Sequence, residues 1–206
     1  MSVATKDLIQ DFLKRSKIYE RFGYDIIKER DLIISKTEPI GKKILEVGTG
    51  KGYFTMALAA QGYHFTSVDI SLEEQEFAKD NLKALGLTRK VKFGIEDACN
   101  FTFDPKSFDC IFCINTFHHI KSCFDVTSEF VRLCKENGKI VISDFNETGL
   151  KVVSDIHKKE GNIHKAFDVP WIEMKRFFNR AGFKVQMIST KNQKTLVATK
   201  ETGRKS

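Results

Sequence analysis

Three prolines, one tryptophan and five cysteines are spread over 206 residues, and each scarcity excludes something. With so little proline and 13 glycines in no repeating period, collagen-like and low-complexity chains are ruled out. No apolar run approaches the roughly 20 residues needed to cross a bilayer, so membrane insertion is not expected. Residues Met1 to Gln10 contain no apolar core, small-residue cleavage site or lipidation motif, which makes the cytoplasm the expected address. An odd number of cysteines in such a chain points to reduced thiols rather than a disulfide framework. Cys110 and Cys113 have CxxC spacing, but they lie in the apolar run Phe108 to Ile114. Residues three apart on a strand face opposite ways, so core packing is expected there and no metal.

What is present suits one sizeable core: 41% of the residues are hydrophobic and 30% charged. The formal charge of +7 is unevenly placed. Residues 1–43 hold 10 basic and 7 acidic side chains, residues 44–146 hold 11 and 14, and residues 147–206 hold 13 and 6. The basic excess therefore belongs to the last third and its ragged end, a solvated face rather than a nucleic-acid footprint. The middle of the chain is acidic.

Apolar residues at helical spacing from Lys6 to Ser35, interrupted near Gly23, predict two short helices. The strand Lys43 to Val47 then runs into Gly48-Thr49-Gly50-Lys51-Gly52 and a helix from Tyr53 to Ala60. Strand His64 to Val68 ends at Asp69, and Ser71 with Glu74 forms a capping box for a helix reaching Leu85. Further strands are expected at Val91 to Gly94, Phe108 to Ile114 and Lys139 to Ser143, with a helix from Cys123 to Lys135. Such alternation implies a doubly wound α/β fold. Helix and strand patterns after Pro170, the strands at Phe183 to Ser189 and Thr195 to Ala198, bring the sheet to seven strands, mostly parallel, finished by an antiparallel hairpin. One domain is expected, with a helical cap (1–37), a core (38–146), a polar lid-like insertion (147–169) and a C-terminal helix and hairpin (170–206).

The glycine loop carries the chemistry. A dinucleotide fingerprint needs a third glycine where Tyr53 stands, and a phosphate-cradling P-loop needs a first glycine where Leu45 stands. What remains is Glu46 followed by three alternating glycines, with Asp69 at the tip of the next strand. Such a loop admits close backbone approach, and the carboxylate is placed to accept hydrogen bonds from ribose hydroxyls. A nucleoside fits without requiring a phosphate.

At this point the chain resembles the class I S-adenosylmethionine-dependent methyltransferases, in the small-molecule branch. The likeness rests on Ile44-Leu45-Glu46-Val47-Gly48-Thr49-Gly50-Lys51-Gly52 and continues through Val68-Asp69-Ile70-Ser71, Glu96-Asp97-Ala98, Phe108-Asp109, Asn115 with His118-His119, and Asn137 to Ile142. It covers about residues 40–146 in order. The resemblance implies a Rossmann-like methyltransferase fold with S-adenosylmethionine as cofactor. Gly48, Thr49, Gly50 and Gly52 would line its methionine part, Asp69 would bind the ribose, Ile70 would pack on the adenine, and Asp97 beside Ala98 would accept from the adenine amino group. Asn115 would present its backbone near the cofactor's amino acid, and Glu46 would support the site from beneath.

Methyl transfer is an in-line displacement that needs a base only when the acceptor must lose a proton. His118 and His119 are the candidate catalytic residues, with scaffold roles as the alternative. In the lid, His157, Glu160 and His164 would share one face of a continuous helix, as an acceptor pocket, a metal site or a solvated face. Tyr19 and Tyr24 are candidates to close over the sulfonium with their ring faces. An Asn/Asp-Pro-Pro-aromatic motif and a Pro-Cys nucleophile, both associated with nucleic-acid methylation, are absent. The expected partner is a small-molecule methyl acceptor rather than a nucleic acid. A cofactor-binding module without turnover and an RNA methyltransferase remain the alternatives, and the oligomeric state is open.

Overall fold

The runs Ile44–Val47 (β1) and Phe108–Ile114 (β4) are apolar at nearly every position, the pattern of strands covered on both faces, and both are almost wholly buried. The computed structural model describes residues 3–161 and 166–200, with side chains from Phe12 onward. β1 pairs in parallel with β4 and with Phe65–Asp69 (β2), and β2 pairs with Val91–Ile95 (β3). Cys134–Phe145 (β5) runs parallel to β4, while Phe183–Ser189 (β6) and Gln193–Lys200 (β7) form the antiparallel end. The seven-stranded order is β3-β2-β1-β4-β5-β7-β6, so the chain reverses its direction of travel between β1 and β4. Open α/β sheets bind ligands outside the carboxyl ends of their strands at such a crevice.

The helices divide over the two faces. Ile26–Thr37 (α2), Tyr53–Ala60 (α3) and Leu72–Ala84 (α4) cover one face, where Ile33, Phe54 and Leu58 meet Phe112. Cys123–Leu133 (α5) and Trp171–Arg180 (α7) cover the other, where Phe130 and Phe178 meet Ile111 and Ile140. Cys110 belongs to the first cluster and Cys113 to the second, as strand alternation requires. Val3–Arg21 (α1) and Glu147–Lys159 (α6) join a third cluster with Tyr24 and Phe145, placed by α2 and by the end of β5.

Local sequence explains the boundaries. Ser71 accepts the amide of Glu74 at 3.2 Å, the expected cap of α4. The N-terminal periodicity yields one long helix of 19 residues and one of 12, not two short ones. α5 stops at Leu133 rather than Lys135 because Cys134 already pairs with Phe108; the register then shifts through Asn137, whose φ is +64°.

The lid expectation needs a correction. His157, Glu160 and His164 do not share one continuous helix: α6 ends at Lys159, Glu160 is its C-cap and Gly161 turns the chain. His164 lies outside the described residues.

Candidate active site

A cavity of about 780 Å³ opens at the carboxyl ends of β1, β2 and β4, within the size range of small-molecule sites. Its floor is the glycine loop, strapped to β2 by Gly48 N–H and Thr49 N–H donating to the Val68 carbonyl at 2.8 and 3.2 Å. Gly48 has φ +84°, and a Cβ there would lie 2.2 Å from Thr116 Oγ1, so only glycine lets the loop pass this close to the end of β4. Beyond the loop, Asp69 accepts Gly50 N–H on Oδ2 at 2.8 Å and Ser71 N–H on Oδ1 at 2.9 Å. Each carboxylate oxygen keeps further acceptor capacity for a ligand.

Below the floor, Glu46 is 1% exposed. Its carboxyl is held by Ser67 Oγ at 2.7 Å and Thr55 Oγ1 at 3.0 Å, and burial pushes its pKa up to about 7 against the lowering effect of those hydroxyls. Glu46 does not line the cavity and neither does Gly52, which caps α3 and faces Ala78 of α4. Gly48, Thr49, Gly50, Asp69, Ile70, Asp97, Ala98 and Asn115 do line it. Ile70 is 71% exposed, an apolar side chain standing at the mouth.

Tyr24 is the hub of the opposite wall. Its hydroxyl oxygen receives Arg30 Nη1 at 2.6 Å, Gln193 Nε2 at 2.8 Å and Asn115 Nδ2 at 3.2 Å. Arg30 is only 5% exposed, and its Nε finds no hydrogen-bond partner among the described residues. The same holds for Oδ1 of Asn115, a residue bent to φ +53° where β4 ends. One orphaned donor and one orphaned acceptor thus flank a single oxygen at the cavity wall, and buried groups of this kind are costly unless a ligand completes them.

On the β5 side, His118 and the carboxylate of Asp144 make a buried pair, with Nδ1 and Oδ1 2.7 Å apart and Asp144 Oδ2 accepting the His118 amide at 3.0 Å. The His119 ring lies tilted by 48° against that of His118, with centroids 3.9 Å apart, and is exposed. Tyr19, Tyr53 and His157 close the mouth, and burial lowers the His157 pKa. Glu160 is not part of the wall; it pairs with Arg15 at 3.2 Å and so ties the end of α6 to α1. Among the described residues no group of three or more His, Cys, Asp or Glu side chains is arranged to hold a metal.

A family model described as a methyltransferase domain matches residues 45–142, the span from β1 to β5 that builds this site. The match supports a class I S-adenosylmethionine-dependent methyltransferase domain over β1 to β5. The chain is 28% identical over 167 residues to a ubiquinone biosynthesis O-methyltransferase of Xylella fastidiosa, covering 76% of this chain and 67% of that protein. It spans from 21% to 70% of the length of such curated relatives. Among solved structures, the fold is shared with a Haemonchus contortus phosphoethanolamine N-methyltransferase 2 in complex with S-adenosyl-L-methionine (TM-score 0.63, 18% identity, 85% of this chain and 53% of that one). It is shared over greater length with a methyltransferase of Haloferax volcanii in complex with the Trm112 methyltransferase activator (TM-score 0.67, 17% identity, 97% and 99%).

Arg30 and Asp144 were not expected from sequence, although both left a signal. Arg30 falls four residues after Ile26 and four before Ile34, on the apolar face of α2, and Asp144 ends an apolar strand as Asp69 does.

Proposed function

We propose that the chain transfers a methyl group from S-adenosylmethionine to a small-molecule acceptor, in the cytoplasm where its thiols stay reduced. One feature of the cavity carries this reading: the glycine loop and Asp69 on one side, and the orphaned Arg30 Nε and Asn115 Oδ1 on the other. An amino-acid zwitterion supplies a carboxylate for the guanidinium and an ammonium for the amide oxygen, and a nucleoside supplies hydroxyls for Asp69. S-adenosylmethionine joins those parts in one molecule, and when bound it supplies an electrophilic methyl carbon.

Within this reading the chain holds and aligns. Gly48, Thr49 and Gly50 shape the seat of the amino-acid part, and Asp69 orients the ribose. Ile70 covers one side of the adenine, while Asp97 beside Ala98 receives its amino group. Holding a nucleophile in line with the methyl carbon supplies much of the rate, because alignment replaces a bimolecular encounter. The cap of residues 1–37 and the insertion 147–169 contribute Tyr19 and His157 to the acceptor side. Tyr24 works through its hydroxyl as the anchor of Arg30 and Asn115, a different role from a ring closed over the sulfonium.

The test is an assay with methyl-labelled S-adenosylmethionine against a panel of small phenols, amines, thiols and carboxylates. The expected result is label in at least one acceptor class, with release of S-adenosylhomocysteine. Tight cofactor binding with no label transferred to any class would replace this reading with that of a binding module.

A further inference from the structure

We infer that the methyl acceptor is an anion, and that its carboxylate or phosphate is received at the seam between α1 and the glycine loop by Arg15, Lys51 and the hydroxyl of Tyr53. The inference names the substrate class of the transfer reading above and rests on it.

Beside the main cavity lies a second one of about 360 Å³, between α1, α4 and the glycine loop. Arg15, Lys51 and Tyr53 line both, so these three side chains form the seam where the two spaces meet. Lys51 stands between Gly50 and Gly52, both at positive φ, and is exposed. Its ammonium pairs with no carboxylate among the described residues and lies 5.9 Å from the centre of the Phe77 ring. The Tyr53 ring leans on Phe12 with centroids 5.4 Å apart, and its hydroxyl has no hydrogen-bond partner among the described residues. Burial pushes the Tyr53 pKa up to about 12, so the phenol keeps its proton and remains a donor. Arg15 gives Nη1 and Nη2 to the Glu160 carboxylate at 3.2 and 3.3 Å, longer than the roughly 2.7 to 2.9 Å of tight charge-assisted bonds. A guanidinium has further donors to give, so Glu160 neither exhausts Arg15 nor holds it closely.

Charge in the main cavity is sorted by side. Its lining carboxylates, Asp69, Glu74, Glu96 and Asp97, belong to β2, α4 and the turn after β3, the side assigned above to the nucleoside. On the cap side two cations act on one space. Burial is the largest cause of the lowered His157 pKa, and Arg15 and Lys51 both depress it further against the pull of Glu160. A wall of one sign draws in ligands of the other. Three donors at one seam, two of them charged, suit an oxyanion, whereas a cationic acceptor is repelled there. An acceptor anchored by its anion at the seam keeps its other end in the main cavity, where the cationic sulfonium adds to the attraction.

The test titrates the full-length chain, saturated with S-adenosylhomocysteine, with benzoate against benzamide and with phenyl phosphate against phenol, followed by NMR shifts. At least one anion is expected to bind about tenfold more tightly than its neutral partner, and the tighter anion names the group. Lys51→Met is expected to weaken that anion by roughly three- to fivefold, the worth of a solvent-facing ion pair, and to leave the neutral partner unchanged. Glu160→Gln removes the carboxylate that competes for Arg15 and is expected to strengthen the anion. Equal affinity for charged and neutral probes, an unchanged ratio in Lys51→Met, or an anion bound no more tightly by Glu160→Gln would overturn the inference. Should Lys51→Met fail to fold, the wild-type pairs and Glu160→Gln decide. A chain that does not bind S-adenosylhomocysteine defeats the transfer reading instead, and one that binds it but treats charged and neutral probes alike defeats this inference alone.

Discussion

The carboxylate of Asp69 receives the amide of Gly50 at 2.8 Å, so the tip of β2 and the glycine loop are one unit rather than two neighbouring features. A ligand that engages Asp69 is thereby registered against the loop. Asp69→Ala removes the ribose acceptor and the loop's anchor together. S-adenosylmethionine affinity is expected to fall by about 1 to 3 kcal/mol, the cost of losing a charged hydrogen-bond acceptor. Calorimetric titration of the variant checks this, and unchanged affinity removes Asp69 from the ribose role.

Arg30 offers a sharper discrimination. If its guanidinium meets the carboxylate of the cofactor, Arg30→Met weakens S-adenosylmethionine by about 1.5 to 3 kcal/mol, the range for hydrogen bonds to charged groups. Decarboxylated S-adenosylmethionine is then expected to bind wild type weakly and Arg30→Met no more weakly still. Such a cycle isolates the one contact. Equal losses for both ligands in the variant would mean that Arg30 only supports Tyr24.

Glu46 makes stability depend on pH in a stated direction. Its folded pKa is about 7, raised by burial from 4.5, so the folded state binds the proton more strongly than the unfolded state. Below the unfolded value both states are protonated and no penalty exists. Between there and about 7 the unfolded carboxyl ionises first, and folding stability declines by up to about 3 kcal/mol. Urea unfolding at acid and mildly alkaline pH is expected to show this decline in wild type and a smaller one in Glu46→Gln. Identical profiles would place the titration elsewhere.

Two glycines of the loop should separate folding from binding. Gly48→Ala forces a Cβ to within 2.2 Å of Thr116 at a φ of +84° and is expected to destabilise the fold markedly. A Cβ on Gly50 meets nothing within 4 Å, so Gly50→Ala pays only the left-handed backbone cost of roughly 1 to 2 kcal/mol. Its larger effect is expected on cofactor affinity, because the new methyl group occupies space on the ligand side of the loop. Thermal melts and titrations of both variants check the contrast; equal melting temperatures would contradict it.

The sheet was legible in the sequence because β1 and β4 are apolar runs and helical and strand patterns alternate around them, and the loop because glycines, Glu46 and Asp69 keep a spacing tied to strand ends. What escaped was set by tertiary contact. Helical spacing alone gave no reason for α6 to stop at Lys159, where Glu160 leaves the helix face and pairs with Arg15, 145 residues away. The Tyr24 hub joins α2, β4 and β7 through side chains distant in sequence, so an aromatic candidate for ring contacts became a hydroxyl anchor. Asp144 and His118 are 26 residues apart and meet only because β4 and β5 are neighbours.

The most direct test is calorimetric titration of the purified full-length chain with S-adenosylmethionine and, separately, with NAD. Saturable one-to-one binding of S-adenosylmethionine, with no heat from NAD, is the predicted result. Absence of S-adenosylmethionine binding, or an equal affinity for NAD, would contradict the assignment of this cavity.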